Sequence, residues 1–394
     1  MQAHGAGATY RATVRKLRLS FPARDRRRRP AAALPYAYVY QRIPYTHAAG
    51  SIGAAGFDKR VNWVIPNFHR SSGGLRTIFR ASLALEQAGY DVHFYIFGQT
   101  HYVSGSEAAE VIRNFYYPLK ARVHLGVTEM LPAEFCLATS WETAYPVRDF
   151  QACRRKIYFV QDDESLFFPE SSGKALAEET YRFGFDCVCA GRWLGQRMRD
   201  YGSRAVTFDL AYDPKVYYPS SELPARKRVL FYARYQTARR GGELGMLALA
   251  LLKTKHPEVE VVLYGSDDVP YVLPFDFTLA GILREHDLPA LYRSATVGLS
   301  ISLTNYSLVP QEMLACGLPV VEVSHPSLQA AYPTNSPGIR LAHPTPEQLA
   351  EAMSQVITLP ESELRHTRAA AAQLVHHLSW QNADKVLLDL LASA

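Results

Sequence analysis

No stretch of the 394 residues reaches the ~18 consecutive apolar residues a membrane helix needs. The five cysteines (Cys136, Cys153, Cys187, Cys189, Cys316) are odd in number and lie mostly in apolar segments. That usage excludes a disulfide frame or zinc site and points to buried thiols in a reducing compartment. Cys187 and Cys189 alternate along an expected strand, with no second pair nearby to complete a metal site. Adjacent His376 and His377 face different ways on an expected helix and make no metal pair. No G-x-G-x-x-G follows a strand, which sets aside a NAD-dependent dehydrogenase. GSIGAAG, at 50–56, has the wrong spacing and reads as linker. Acid is almost missing from Met1–Arg29, which holds nine Lys and Arg against one Asp. That segment has no apolar centre for a secretory signal, so export is not expected. It fits a disordered tail, a patch on anionic lipid, or a transit-like peptide. The remainder is close to neutral, unlike the basic face of a nucleic-acid-binding fold.

What is present is ample apolar content, 48%, in a length suited to two domains. The first domain opens at Val61 with the strand VNWVIP. A turn over 67–74 leads into an amphipathic helix, Leu75–Ala88, with Leu75, Ile78, Phe79 and Leu83 on one stripe. Gly89 caps it and Tyr90–Phe97 is the next strand. The SSGG loop lets backbone approach a ligand closely. Residues 98–155 are less regular. Lys156–Gln161 is a buried strand ending in Gln161-Asp162-Asp163-Glu164, where an α/β protein places polar groups. This cluster fits helix-capping acids, a metal site, or contacts to sugar hydroxyls. Lys174–Gly184 reads as a helix, Phe185–Ala190 as a strand and Trp193–Tyr201 as a helix. Tyr212–Arg228, with three prolines, reads as the linker between domains.

The second domain starts with the strand Arg228–Ala233. Arg234, Arg239 and Arg240 follow it, with Gly241 and Gly242 opening the helix Glu243–Lys253. Cations at a strand-loop-helix junction suit a diphosphate, although a solvated loop has the same composition. Thr296–Val323 holds the most structured signal. An apolar run, Val297–Leu303, suits a strand buried on both faces. A polar loop, Thr304–Ser307, follows. Pro310 opens a short helix, Gly317 ends it and Pro319–Val323 is the next strand. Glu312 is placed in the first helical turn, where it favours the helix dipole or accepts hydrogen bonds from sugar hydroxyls.

The order strand, loop, P-x-E-x-x-x-x-G-x-P-V-V resembles the nucleotide-sugar motif of GT4-type glycosyltransferases, which have the GT-B fold. Tyr158–Leu194 (YFVQDDESLFFP…ETYRFGFDCVCAGRWL) is similar to the rhamnan-chain rhamnosyltransferases of bacterial surface glycans. The resemblance implies an α/β architecture of two Rossmann-like domains facing a cleft, with a last helix near Trp380 crossing back to the first. The boundaries implied are a tail and linker over 1–60, an acceptor-side domain over 61–211, a nucleotide-sugar domain over 225–375, and the returning helix over 376–394. It implies a retaining transferase moving L-rhamnose from dTDP-β-L-rhamnose onto a surface polysaccharide. A UDP- or GDP-linked donor, or a non-catalytic GT-B binding subunit, are the alternatives.

By the same resemblance, Asp162, Arg234 and Arg240 are the catalytic candidates, with Arg240 favoured over Arg239 for the family's lysine. Gly73, Gly74, Arg76, Tyr306 and Glu312 are the donor-binding candidates, with Glu312 on the ribose. No cofactor or metal is implied, and the Asp-x-Asp typical of metal-dependent GT-A enzymes is absent. The partners implied are a nucleotide-sugar donor and a glycan acceptor, with no nucleic acid. A cytoplasmic location is expected, with the basic tail touching anionic inner membrane. Two positions depart from the family pattern. Thr304 stands where a first glutamate is usual, and Ile282 where many relatives have a basic residue.

Overall fold

Every strand of this protein is parallel to its neighbours, which explains why its strands read as apolar runs without alternation. The computed structural model describes residues 34–47, 59–69, 73–333 and 336–393. It divides into two units, Met1–Gln41 and Arg42–Ala394. The described part of the first is a single helical turn, Ala37–Tyr40, entered through Tyr36 at φ 62°. The basic tail, Met1–Arg29, and the GSIGAAG stretch lie outside the described residues.

In the second unit the first sheet domain runs β1 (Arg60–Pro66), α1 (Gly73–Gln87), β2 (Asp91–Phe97), α2 (Gly105–Phe115) and β3 (Arg122–Leu125). It continues through β4 (Ala133–Ala138), α3 (Trp141–Asp149), β5 (Cys153–Val160), α4 (Ser172–Glu179), β6 (Asp186–Ala190), α5 (Arg192–Asp200) and β7 (Ala205–Phe208). The strand order is β3-β2-β1-β4-β5-β6-β7. Trp63, Phe94 and Phe135 are buried at its centre, each contributing roughly 1.5–3 kcal/mol. The expected stripe on α1 is observed, with Leu75, Ile78 and Phe79 buried and Leu83 at its margin. Gly89, at φ 84°, follows the helix.

The second domain runs β8 (Arg228–Tyr232), α6 (Gly242–Lys255), β9 (Glu260–Tyr264), β10 (Thr278–Leu279), α7 (Leu288–Arg293) and β11 (Val297–Leu299). There follow α8 (Leu308–Ala315), β12 (Val320–Val323), α9 (Pro326–Ala331), β13 (Ile339–Ala342), α10 (Pro346–Ile357) and α11 (Glu361–Val375). Its order is β10-β9-β8-β11-β12-β13. The last helix, α12 (Trp380–Ala392), returns to pack on α1 and β7 of the first domain. Arg80 and Asp384 pin it there at 2.7 Å.

Several expectations need correction. The stretch 98–155 is as regular as the rest, and β4 is central, beside β1. Its six residues, AEFCLA, are too short and mixed to stand out. Packing on the first domain begins before the expected start at Val61: Tyr45 donates to Pro146 O at 2.7 Å and stacks edge-on against Phe150. The strand expected over Val297–Leu303 ends at Leu299. Past Ser300 the ladder is interrupted, because the Ser302 amide donates to the Glu322 side chain at 2.8 Å. Helix α8 opens at Leu308, so Pro310 lies within its first turn and Glu312 falls in the second.

Candidate functional site

In each sheet the strand order reverses once, between β1 and β4 and between β8 and β11. Crevices at such reversals, beyond the carboxyl ends of the strands, are where open α/β sheets bind ligands. Here the two reversals face one cavity of about 270 Å³. From the first domain, Gly73, Gly74, Thr139, Gln161, Asp162, Glu164 and Phe167 line it. From the second come Tyr232, Arg234, Thr237, Arg239 and Arg240, with Tyr306 and Ser307 of the loop after β11 and Leu308 and Val309 opening α8.

The first-domain wall is built by hydrogen bonds between neighbouring strand ends. Gln161 donates to Gly74 O at 3.0 Å, tying the end of β5 to the start of α1. Asp163 is buried and turned away, where Arg197 clasps it at 2.6 and 2.9 Å. Its neighbours Asp162 and Glu164 therefore lie on the cleft side. Glu164 accepts the Trp141 amide at the start of α3. Burial, opposed by that amide, pushes its carboxyl up to about 8. Burial also raises Asp162, while Arg239, Arg240 and the nearby Thr304 hydroxyl hold it down.

The second-domain wall is cationic. Gly241, at φ 53°, turns the chain from a short 3-10 turn over Ala238–Arg240 into α6, where a side chain would meet Ile301. Arg239 reaches across to Asp162, Nε to Oδ2 at 3.2 Å, with its guanidinium 4.3 Å from the Phe167 ring. Burial lowers its pKa, Asp162 opposes, and Arg240 and Arg234 lower it further by repulsion. Arg240 donates to Ser302 Oγ at 2.9 Å. Arg234 reaches only the Tyr232 hydroxyl, at 3.4 Å. Three like charges are thus crowded in the loop after β8, their repulsion offset in part by Asp162 and Glu164.

The expected residues divide accordingly. Gly73, Gly74, Asp162, Arg234, Arg240 and Tyr306 come together in the cavity, and Arg76 and Glu312 do not. Arg76 lies over the Tyr117 ring at 5.5 Å and pairs with Glu285 of the second domain. Its guanidinium is thus engaged and not directed at a phosphate. Glu312 sits beside this pair. Burial and Glu285 push its carboxyl up to about 8, against Tyr217, Arg76 and Tyr292. Tyr306 is 4% exposed, its hydroxyl accepts the Leu210 amide at 3.2 Å, and its ring packs where a side chain at Gly191 would stand. That leaves it little free face for a base and makes it a wedge between the domains.

Sequence reasoning passed over Phe167 as a ligand of Arg239, and Glu322 altogether. Glu322 is completely buried in β12, and burial pushes its carboxyl up to about 7. A glutamate inside an apolar strand, PVVEV, was the available signal. The loop after β11 also crosses the cleft: Asn305 donates to Gln161 O and Ala190 O, both at 2.9 Å. Thr304 beside it is buried, with its hydroxyl turned to the Asp162 carboxylate.

Comparison with known proteins agrees with this geometry. Residues 227–354 match the family described as WsaF, C-terminal domain. The O-antigen biosynthesis protein RfbC of Myxococcus xanthus is 32% identical over 358 residues, which cover 87% of this chain and 28% of RfbC. The chain therefore spans little more than a quarter of that relative. Sucrose-phosphate synthase of Thermosynechococcus elongatus superposes with a TM-score of 0.66 at 15% identity, over 86% of this chain and 100% of that one. HepE of Anabaena, solved with UDP and glucose, superposes with a TM-score of 0.66 at 14% identity, over 86% and 100%. Two parallel sheets with their switch points across one cleft, and these neighbours, give this chain the GT-B fold of glycosyltransferases.

Proposed function

We propose that this chain transfers a sugar from a nucleoside diphosphate sugar to a growing bacterial surface glycan. The observation that carries this reading is the convergence of Arg234, Arg239 and Arg240 on a cleft whose opposite wall offers Asp162 and Glu164. Arginines supply the positive charge that a departing diphosphate needs, held in place before the reaction. The similarity to RfbC supports a surface polysaccharide as the product. The resemblance of Tyr158–Leu194 to rhamnan-chain enzymes supports dTDP-β-L-rhamnose as donor and retention at the anomeric carbon.

In this reading the acceptor hydroxyl oxygen bonds to the sugar's anomeric carbon as the bond to the diphosphate breaks. The leaving diphosphate oxygen takes the hydroxyl proton on the same face. Arg234 and Arg240 hold the diphosphate, Asp162 orients the sugar, and Gly73 and Gly74 let the donor lie close to the start of α1. The arginines take the place of a metal ion. Glu312 reaches the ribose once the Arg76–Glu285 pair opens. A UDP-linked donor is the second reading, favoured by the UDP bound in HepE.

The test is thermal shift with dTDP, UDP and GDP on the parent and on Arg234→Ala, followed by turnover of dTDP-rhamnose. At ~100 times the dissociation constant, a ligand stabilises by about 2.7 kcal/mol. A dTDP-selective shift that the variant loses is the expected result. A shift with UDP alone moves the donor to the second reading. Absence of a shift with any nucleotide overturns both.

A further inference from the structure

The Glu322 carboxylate is buried in the middle of β12 and touches no cation directly, yet both of its oxygens are occupied. Oε1 accepts two backbone amides, from Ser302 at 2.8 Å and from Val323 at 3.0 Å. Oε2 accepts the Ser302 hydroxyl at 3.1 Å. Ser302 Oγ in turn accepts Arg240 Nη1 at 2.9 Å. With Glu322 ionised, these contacts fix the direction of each hydrogen bond in the chain. A guanidinium can only donate, so Ser302 must receive from Arg240. Its single hydroxyl proton is then free for Glu322 alone, and Glu322 must receive it. The arrangement works in one direction only, with Glu322 as acceptor throughout.

A buried carboxylate costs several kcal/mol unless it is paired and hydrogen-bonded. Nothing in the packing of β12 requires one: its neighbours Val320, Val321 and Val323 are apolar and buried. Apart from the Val323 amide, the hydrogen bonds of Glu322 lead to Ser302, and from Ser302 to Arg240 in the cleft. The same contact ends the β11 ladder and turns the chain into the loop that carries Thr304–Ser307. Arg239, by contrast, is steered by Asp162 and Phe167 from the opposite wall. The two neighbouring arginines are thus held by independent means.

We propose that Glu322 is a positioning residue that aims Arg240 into the cleft through the Ser302 hydroxyl, and so sets the hold on the donor's diphosphate. This rests on the reading of the cleft as a nucleotide-sugar site. Glu322→Gln is the discriminating change, because it keeps shape and removes charge. If Gln keeps its oxygen toward the two amides, its NH2 faces Ser302 and donates to it. Ser302 Oγ can then accept from both the amide and Arg240, but its hydroxyl proton has lost the carboxylate, and with it the negative charge that holds Arg240 through Ser302. Ser302→Ala removes the link and leaves both ends in place.

The experiment has two arms on the full chain. Nitrogen-15 relaxation of the arginine Nε–H groups, assigned with Arg240→Lys, reports whether the Arg240 side chain is fixed. It is expected to be ordered in the parent and mobile in Glu322→Gln and in Ser302→Ala, while Arg239 stays ordered in all. Calorimetric titration with dTDP and UDP gives the second arm, with thermal melts confirming that each variant is folded. Each single variant is expected to weaken nucleotide binding about tenfold, the scale of one charge-assisted hydrogen bond. The double variant should bind no more weakly than either single one, because both changes cut one chain. An Arg240 that stays ordered in both variants overturns the proposal, as do additive losses. A parent that binds neither nucleotide overturns the nucleotide-site reading, and the relaxation arm still decides whether Glu322 fixes Arg240.

Discussion

Asp162, at the end of a strand in the first sheet, and Arg239, in the loop leaving the second, meet across the cleft at 3.2 Å. Each is the other's counter-charge in a partly buried site, with side-chain exposures of 13% for Asp162 and 33% for Arg239. In Asp162→Asn, Arg239 loses that counter-charge and the cleft becomes more positive. Nucleotide affinity should hold or improve by up to about threefold, while turnover falls at least about tenfold, because the sugar loses its orienting carboxylate. Steady-state kinetics with separate kcat and KM would check this. A variant with both constants unchanged would remove Asp162 from the reaction.

Stability should depend on pH through Glu312. Its folded pKa, about 8, lies above the usual carboxylate value of 4.5. The groups facing it are Glu285, Tyr217, Arg76 and Tyr292. A carboxyl whose pKa is raised on folding contributes no penalty below its unfolded value, and stability is then lost as pH rises toward the folded one. The parent should therefore lose stability between about pH 4.5 and 8. Glu312→Gln should raise the melting temperature little at pH 5 and distinctly at pH 8. A gap that does not widen with pH would show that Glu312 is solvated when folded.

By the resemblance to GT4-type enzymes, Thr304 stands where a glutamate is usual, and the Asp162 carboxylate of the other domain lies next to it. Restoring that residue as Thr304→Glu places a second acid beside Asp162 in a buried spot. Repulsion and overpacking should destabilise by about 2–4 kcal/mol, with the loss greater at pH 8 than at pH 5. Urea unfolding at the two pH values measures it. A neutral or stabilising outcome would mean that Arg239 and Arg240 can neutralise two acids at once.

The returning helix offers a cleaner energetic test. Arg80 and Asp384 are mostly buried, at 16% and 15% side-chain exposure. Removing one partner leaves the other uncompensated, so Arg80→Met should cost about 3 kcal/mol. Arg80→Met with Asp384→Leu should recover most of that loss, since an apolar pair can fill the space. A double-mutant cycle by urea denaturation checks both values.

What could be read in the sequence was whatever is written in neighbouring residues. The proline and glycine that bracket Leu308–Ala315, the stripe on Gly73–Gln87 and the arginines after Arg228–Tyr232 are local signals with local causes. What escaped is set by contacts between residues far apart in the chain. Arg76 looks like a phosphate ligand until Glu285, 209 residues later, is found beside it. Tyr306 looks like a stacking platform until Gly191 and Leu210 close around it. Glu312 was displaced by a single turn, because the helix begins two residues before its proline. Glu322 was hidden for the opposite reason: an acid in an apolar strand has no partner until the loop after β11 supplies Ser302.

Asn305 carries a consequence for how the cleft can move. One amide nitrogen from the second domain serves two carbonyls, at the ends of different strands of the first. If the domains swing apart at that point, both carbonyls and the amide must exchange each other for water. The loop therefore acts as a rivet, and opening there costs two hydrogen bonds at once. At the far rim Arg76 and Glu285 are about a third exposed, and their parting would uncover Glu312 beside them. A donor would then be admitted by a door hung on Asn305.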